Sequence, residues 1–191
     1  MEASGDDEIM EATYRALCEN GYAGLTMQDI ADESEKSKAT LHYHYDTKQE
    51  LLLVFLEYLL DGFRERLEET ETEDPAEELI EAVTPRGDGV SDGFRTAMLE
   101  MKAQSPYNEG IRRKLAEYED ELEAYLEDVI REGVDDGSFR EGIEASETAE
   151  MLVALGSGLR TRSVTTGKEG EDLRATVETY IEACLLEEGE K

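Results

Sequence analysis

Between Lys36 and Lys48 the chain gathers side chains able to recognise an anionic partner: Ser37, Lys38, Thr40, His42, Tyr43, His44 and Lys48. Hydroxyls, ammonium groups and imidazoles donate hydrogen bonds to phosphate oxygens or base edges, Ala39 offers a methyl contact, and Tyr43 an aromatic face. The charge pattern supports this chemistry. Residues 1–35 hold ten acids against Arg15 alone, whereas residues 36–48 hold three lysines against Asp46 alone. The island matters because the net charge is −30, from 49 acidic and 19 basic residues among 191. Such a charge ordinarily argues against a nucleic-acid partner. A basic island within it points to one anionic partner on a protein adapted to concentrated salt.

Other chemistries find less support. His42 and His44 stand two apart, which on a helix points them in different directions and makes a shared metal difficult. No paired nucleophile and base, glycine-rich phosphate loop or metal-spaced cluster occurs, so the expectation is neither an enzyme nor a cofactor or metal protein. Cys18 and Cys184 lie in separate apolar stripes and read as buried free thiols of a reducing cytoplasm.

The island needs elements to position it. Ile9, Ala12, Thr13, Ala16 and Leu17 recur with helical spacing, and Asn20-Gly21 supplies a left-handed stop. Thr26 caps a short helix, with Asp29 three residues on as a short capping box and Met27, Ile30 and Ala31 facing inward. After a turn at Ser34 to Lys36, Ser37 caps a second short helix that carries Leu41 inward. Thr47 and Glu50 form the capping box of a long helix, on which Leu52, Phe55, Leu56, Leu59, Phe63 and Leu67 keep the period. Two short helices across a tight turn, braced by a longer helix on each side, make the helix-turn-helix layout. There the second short helix presents its first residues to base edges, and the helix N-termini at Thr26 and Thr47 turn amides toward phosphates.

The run from Ile9 through Leu56 resembles the DNA-binding region of the TetR family of transcription regulators. The resemblance is carried by Gly21-Tyr22, Thr26-Met27-Gln28-Asp29-Ile30-Ala31, Ser37-Lys38-Ala39-Thr40-Leu41, His42-Tyr43-His44-Tyr45 and Lys48-Gln49-Glu50-Leu51-Leu52, all in register. It implies that Gln28, Lys38 and Ala39 face base edges, and that Thr26, Thr40, Tyr43, His44 and Lys48 contact phosphate. His42 stands where the pattern usually has tyrosine, and Glu35 and Lys36 replace a small and an apolar turn residue. The implied function is a cytoplasmic repressor, a homodimer on a double-stranded DNA operator, released by a small-molecule effector. The rival, drawn from charge alone, is an acidic helical protein-interaction module that binds no DNA.

Beyond Leu67, residues 68–74 read as an acidic linker, Pro75 suits the first turn of a fifth helix, and residues 85–92 read as a loop. Helical stretches follow at about 93–104, 107–136, 145–165 and 170–188, with Gly137-Ser138-Phe139 as a stop between two of them. The last two carry apolar stripes, Met151, Leu152, Leu155 and Leu159 on one, Leu173, Val177, Tyr180, Ile181 and Cys184 on the other. Stripes wider than one protomer's core needs suggest a two-fold dimer through these helices. Phe94, Met98, Met101, Tyr107, Tyr118 and Tyr125 are candidates to line an effector pocket, with ordinary core packing the stronger reading of each. No apolar run approaches the length of a membrane span, and the acidic N-terminus lacks the features of a signal peptide. The expected fold is all-α with about nine helices: an N-terminal three-helix helix-turn-helix domain over residues 1–50, then a helical dimerisation and ligand-sensing domain over 51–191.

Overall fold

The structure, a computed structural model, describes residues 5–68, 72, 74–84, 91–167 and 170–186, with side chains for all of these except 5, 6, 68 and 170–173. The described residues form nine helices and no strand: α1 (Gly5–Gly24), α2 (Met27–Asp32), α3 (Lys38–His44), α4 (Lys48–Glu68), α5 (Pro75–Val83), α6 (Asp92–Gln104), α7 (Glu109–Asp135), α8 (Ala145–Thr166) and α9 (Gly170–Cys184). The expected loop at 85–90, most of the acidic linker and the side chain of Leu173 lie outside the described residues.

The contacts divide the chain into two compact units, one from Met1–Arg66 with Ser91–Ala116, the other from Leu67–Val90 with Glu117–Lys191. In the first, the apolar face of α1 is the buried one: Ile9, Ala12, Ala16 and Leu17 join Leu25, Ile30, Leu41, Leu51, Leu52 and Phe55 in one core. Thr13 is buried with them because its hydroxyl returns a 2.7 Å hydrogen bond to the Ile9 carbonyl, which removes the cost of burying it. The stop at Asn20-Gly21 falls where the sequence puts it: α1 is broken at Gly21 (φ 65, ψ 174), a backbone that only glycine adopts readily. One further turn carries the chain to Gly24. Across the other side of α1 lies α6, close enough that a Cβ on Gly93 would stand 2.1 Å from the Cys18 carbonyl oxygen. Ser91, the N-cap of α6, also donates to Cys18 Sγ at 3.0 Å.

In the second unit α5, α8 and α9 pack with the later turns of α7. The core is Leu79, Ile80 and Val83, Leu122, Leu126 and Ile130, Leu152 and Leu159, and Val177 and Ile181. Pro75 opens α5 as expected, with the Asp74 carboxylate accepting the Ala76 amide at 3.0 Å. Gly137 (φ 84) ends the α7 region, and Phe139 folds back under Gly133, its amide on the Gly133 carbonyl at 2.8 Å. The α8 stripe is split. Leu152 and Leu159 are buried, but Met151 is 54% exposed, because the unit's core takes only one side of the helix. Both cysteines are free thiols, half-buried instead of buried, since each sits at the margin of its stripe.

Candidate nucleic-acid interface

Thr26 caps α2 through a closed set of bonds. Its Oγ1 accepts the amides of Gln28 and Asp29 at 3.2 and 3.3 Å, while its own N–H and hydroxyl donate to Asp29 Oδ2, each at 2.7 Å. The Thr26 hydroxyl and amide, in that order, hold the Asp29 carboxyl below the usual carboxylate range. Gln28 is exposed beside it, with Nε2 donating to Asp32 Oδ1 at 2.7 Å. That bond uses one of the two N–H donors of the Gln28 side-chain amide.

The turn between α2 and α3 carries the two residues that depart from the family pattern, and Glu8 of α1 holds both. One Glu8 oxygen accepts the Glu35 amide at 3.0 Å, and the other pairs with Lys36 Nζ at 3.0 Å. The Lys36 hydrogen bond first, and the Glu35 amide second, keep the Glu8 carboxyl below its usual range. Lys36 is thus committed to α1 and leaves the basic island. Ser34 ties the turn from inside, accepting the Lys36 amide at 3.1 Å. Arg15 braces the end of α2, donating to the Glu33 carbonyl at 2.8 Å and the Glu33 carboxylate at 3.1 Å.

α3 then presents its outer face. Ser37 caps it, Oγ accepting the Thr40 amide at 3.1 Å and lying 2.9 Å from Thr40 Oγ1. Lys38, Ala39, His42, Tyr43 and His44 are exposed, Tyr43 at 86%, while Leu41 is fully buried and fixes the roll of the helix. Tyr43 and His44 meet edge to face, ring centres 5.3 Å apart. An exposed Tyr43 has no core role to explain it. At the start of α4 the Glu50 amide donates to Thr47 Oγ1 at 3.1 Å, as the capping box requires, but the Glu50 carboxylate reaches back to the Asp46 amide at 2.9 Å. Lys48, the remaining member of the island, is half-buried: Nζ donates to the carbonyls of Tyr22 and Leu25 at 3.2 and 2.8 Å and lies 5.2 Å from the centre of the Tyr22 ring. Thr26, Gln28, Ser37, Lys38, Ala39, Thr40, His42, Tyr43, His44 and Lys48 all belong to one compact unit, on three successive helix starts and the α3 surface.

The six pocket candidates are more dispersed. Phe94 packs on Tyr14 and Phe55 with ring centres 4.6 and 6.3 Å away, and Met98 and Met101 join the same core. Tyr107 is 88% exposed in the turn between α6 and α7. Tyr118 and Tyr125 fall in the other unit, where Tyr125 donates to Glu78 Oε1 at 2.5 Å. A groove of about 700 Å³ between α7 and α8 is lined by Glu119, Asp120, Glu123, Glu150 and Arg162 among others, and by none of the six. Sequence reasoning missed Glu8, Glu33 and Glu100, whose partners lie 18 to 78 residues away and leave no local signal. Among the described residues no cluster of three His, Cys, Asp or Glu is placed to hold a metal, and no helix is long and apolar enough to cross a membrane.

Two short capped helices across a braced turn, with a solvent-facing second helix and a helical bundle following in the chain, define a helix-turn-helix DNA-binding protein. Residues 9–54 match the model of bacterial regulatory proteins of the tetR family, and residues 72–186 that of the C-terminal part of BetI-type transcriptional repressors. The chain belongs to the TetR family of transcription regulators. A TetR transcription regulator from Haloarcula marismortui ATCC 43049 is similar in structure, with a TM-score of 0.84 and 38% identity over 94% of this chain and 97% of that one. A protein from Saccharomonospora viridis, described as a transcriptional regulator in complex with choline, has a TM-score of 0.83 and 28% identity over 95% and 97%. The fatty acid metabolism regulator protein of Bacillus subtilis (strain 168) is 22% identical over 150 residues, 76% of either chain. These matches favour a DNA-binding regulator over the acidic interaction module that charge alone suggested.

Proposed function

We propose that this regulator represses transcription from the cytoplasm, binding a double-stranded operator as a homodimer and leaving it when a small-molecule effector binds. Residues 1–50 make the DNA contacts, and residues 51–191 dimerise and sense the effector. Lys38, Gln28 and Ala39 face base edges, Thr26, Thr40, Tyr43, His44 and Lys48 hold the backbone, and Ser37 and His42 belong to the same DNA-binding surface. The observation that carries this reading is the outer face of α3, where Lys38, Ala39, His42, Tyr43 and His44 are exposed together above a single buried anchor, Leu41. The chain acts by binding, and none of its residues is assigned to catalysis.

The dimer reading is supported by α8. Met151, Ala154, Gly158, Thr161 and Thr165 are exposed along one side of it, a strip of mostly small side chains that lets a second helix approach closely. The acidic surface and the Haloarcula relative support work in concentrated salt. A duplex enriched from a random-sequence library by the wild-type protein tests the site. Lys38→Ala should weaken binding and flatten the preference at one base position, by about 1–3 kcal/mol for a good base contact. Unchanged affinity and preference would remove α3 from the interface.

A further inference from the structure

Tyr22 is the residue at which α6 and the start of α4 both grip the segment leading into α2. Its N–H donates to Glu100 Oε2 at 2.7 Å, and the same oxygen accepts the Ala23 N–H at 3.3 Å. Its carbonyl accepts from Lys48 Nζ at 3.2 Å. The single peptide between Tyr22 and Ala23 therefore carries a carboxylate on its N–H and an ammonium on its C=O. Both bonds are charge-assisted, and bonds in series through one polarised peptide strengthen each other. The break at Gly21 turns two successive amides toward one carboxylate, and a Cβ there would stand 3.0 Å from Glu100 Oε2.

We propose that Glu100 is a positioning residue for DNA binding: through the Tyr22–Ala23 peptide it fixes the Lys48 ammonium at the start of α4. An ammonium has three N–H donors. Two are used on the carbonyls of Tyr22 and Leu25, and with Nζ held by both and over the Tyr22 ring, the place at which the ammonium meets a phosphate oxygen is set. The inference rests on the reading that Lys48 contacts phosphate, and it adds a sign that charge alone does not predict. A carboxylate in the DNA-binding unit repels the DNA backbone, so on charge alone its removal tightens binding. If Glu100 aims Lys48, its removal loosens binding.

The test uses the full chain and the enriched duplex, with Glu100→Gln, Lys48→Ala, the double variant, and Glu19→Gln on the exposed face of α1 as a charge-matched control. Circular dichroism establishes that each variant is folded at the assay temperature, and Glu100→Asp, which shortens the carboxylate, replaces Glu100→Gln should that variant unfold. Expected is a loss of roughly threefold to tenfold for Glu100→Gln, which keeps an acceptor oxygen but loses the charge that strengthens both bonds, with no shift in base preference. Glu19→Gln should bind as the wild type or tighter, and the double variant no more weakly than Lys48→Ala. Wild-type or tighter binding by Glu100→Gln overturns the proposal, as do losses that multiply in the double variant. Unchanged binding by Lys48→Ala overturns the phosphate reading beneath it, and the proposal with it.

Discussion

Replacing Gly93 by alanine sets helix propensity against geometry, and the structure decides which wins. Alanine is favoured over glycine inside a helix by about 1 kcal/mol. At Gly93, however, the new Cβ would stand 2.1 Å from the Cys18 carbonyl oxygen and 3.0 Å from its carbon. An ordinary carbon–oxygen approach is about 3.3 Å, so α6 and α1 must separate by roughly 1 Å there. Both obstacles are backbone, and no rotamer change relieves them. Overpacking of this kind costs about 1–3 kcal/mol, and separation also stretches the Ser91 and Glu100 bonds to α1, at about 1 kcal/mol each. Against the propensity gain, the net loss is about 2–4 kcal/mol, or roughly 4–16 °C in melting temperature for a chain of this size. Thermal denaturation by circular dichroism measures it, at fixed high salt and protein concentration because dimerisation shifts apparent stability. Gly62→Ala is the control, since its Cβ meets nothing nearer than Arg66 Nη1 at 3.5 Å, and it should melt at or slightly above the wild type. A Gly93→Ala protein that melts with Gly62→Ala would refute the close crossing of α1 and α6.

A Cβ on Gly158 meets nothing within 4 Å, so Gly158→Arg should leave the protomer folded and convert a dimer into a monomer in light scattering; an intact dimer would move the interface off α8. Asp29 and Glu8 have carboxyl groups held below their usual 3.8 and 4.5, so the stability they contribute is fully present above those values and is lost as pH falls below them, through the lowered values of the folded state. Melting temperature should therefore drop below about pH 4, less steeply in Asp29→Asn, and an identical pH profile in that variant would remove Asp29 from the account. Operator affinity should depend only weakly on salt, with a log–log slope of roughly −0.9 per protomer, from Lys48 as the lysine on a phosphate. Lowering salt should instead loosen the fold as 49 acidic groups repel one another, which circular dichroism follows in parallel; a steep slope with the fold intact would require a larger basic surface.

The sequence alone determined what depends on neighbours a few residues away. The caps at Thr26, Ser37 and Thr47 are written in side chains that reach amides two or three positions on, and α1's buried face in a 3.6-residue period. The run of elements, and with it the helix-turn-helix, follows from such local terms. Tertiary structure decided where the charges went. Lys36 reads as part of a basic island until packing brings Glu8 beside it, and nothing local to Lys48 shows that packing brings two carbonyls to its ammonium. Glu100 looks like one more surface acid, 78 residues from the amide it accepts. The same holds for Met151, whose stripe does not reveal which side of α8 the core covers, and for Phe94 of α6, which packs against Tyr14 and Phe55. A capping bond is fixed by chain geometry over one turn. An ion pair or a buried face depends on which helices come together, and that is set by the packing of the whole unit.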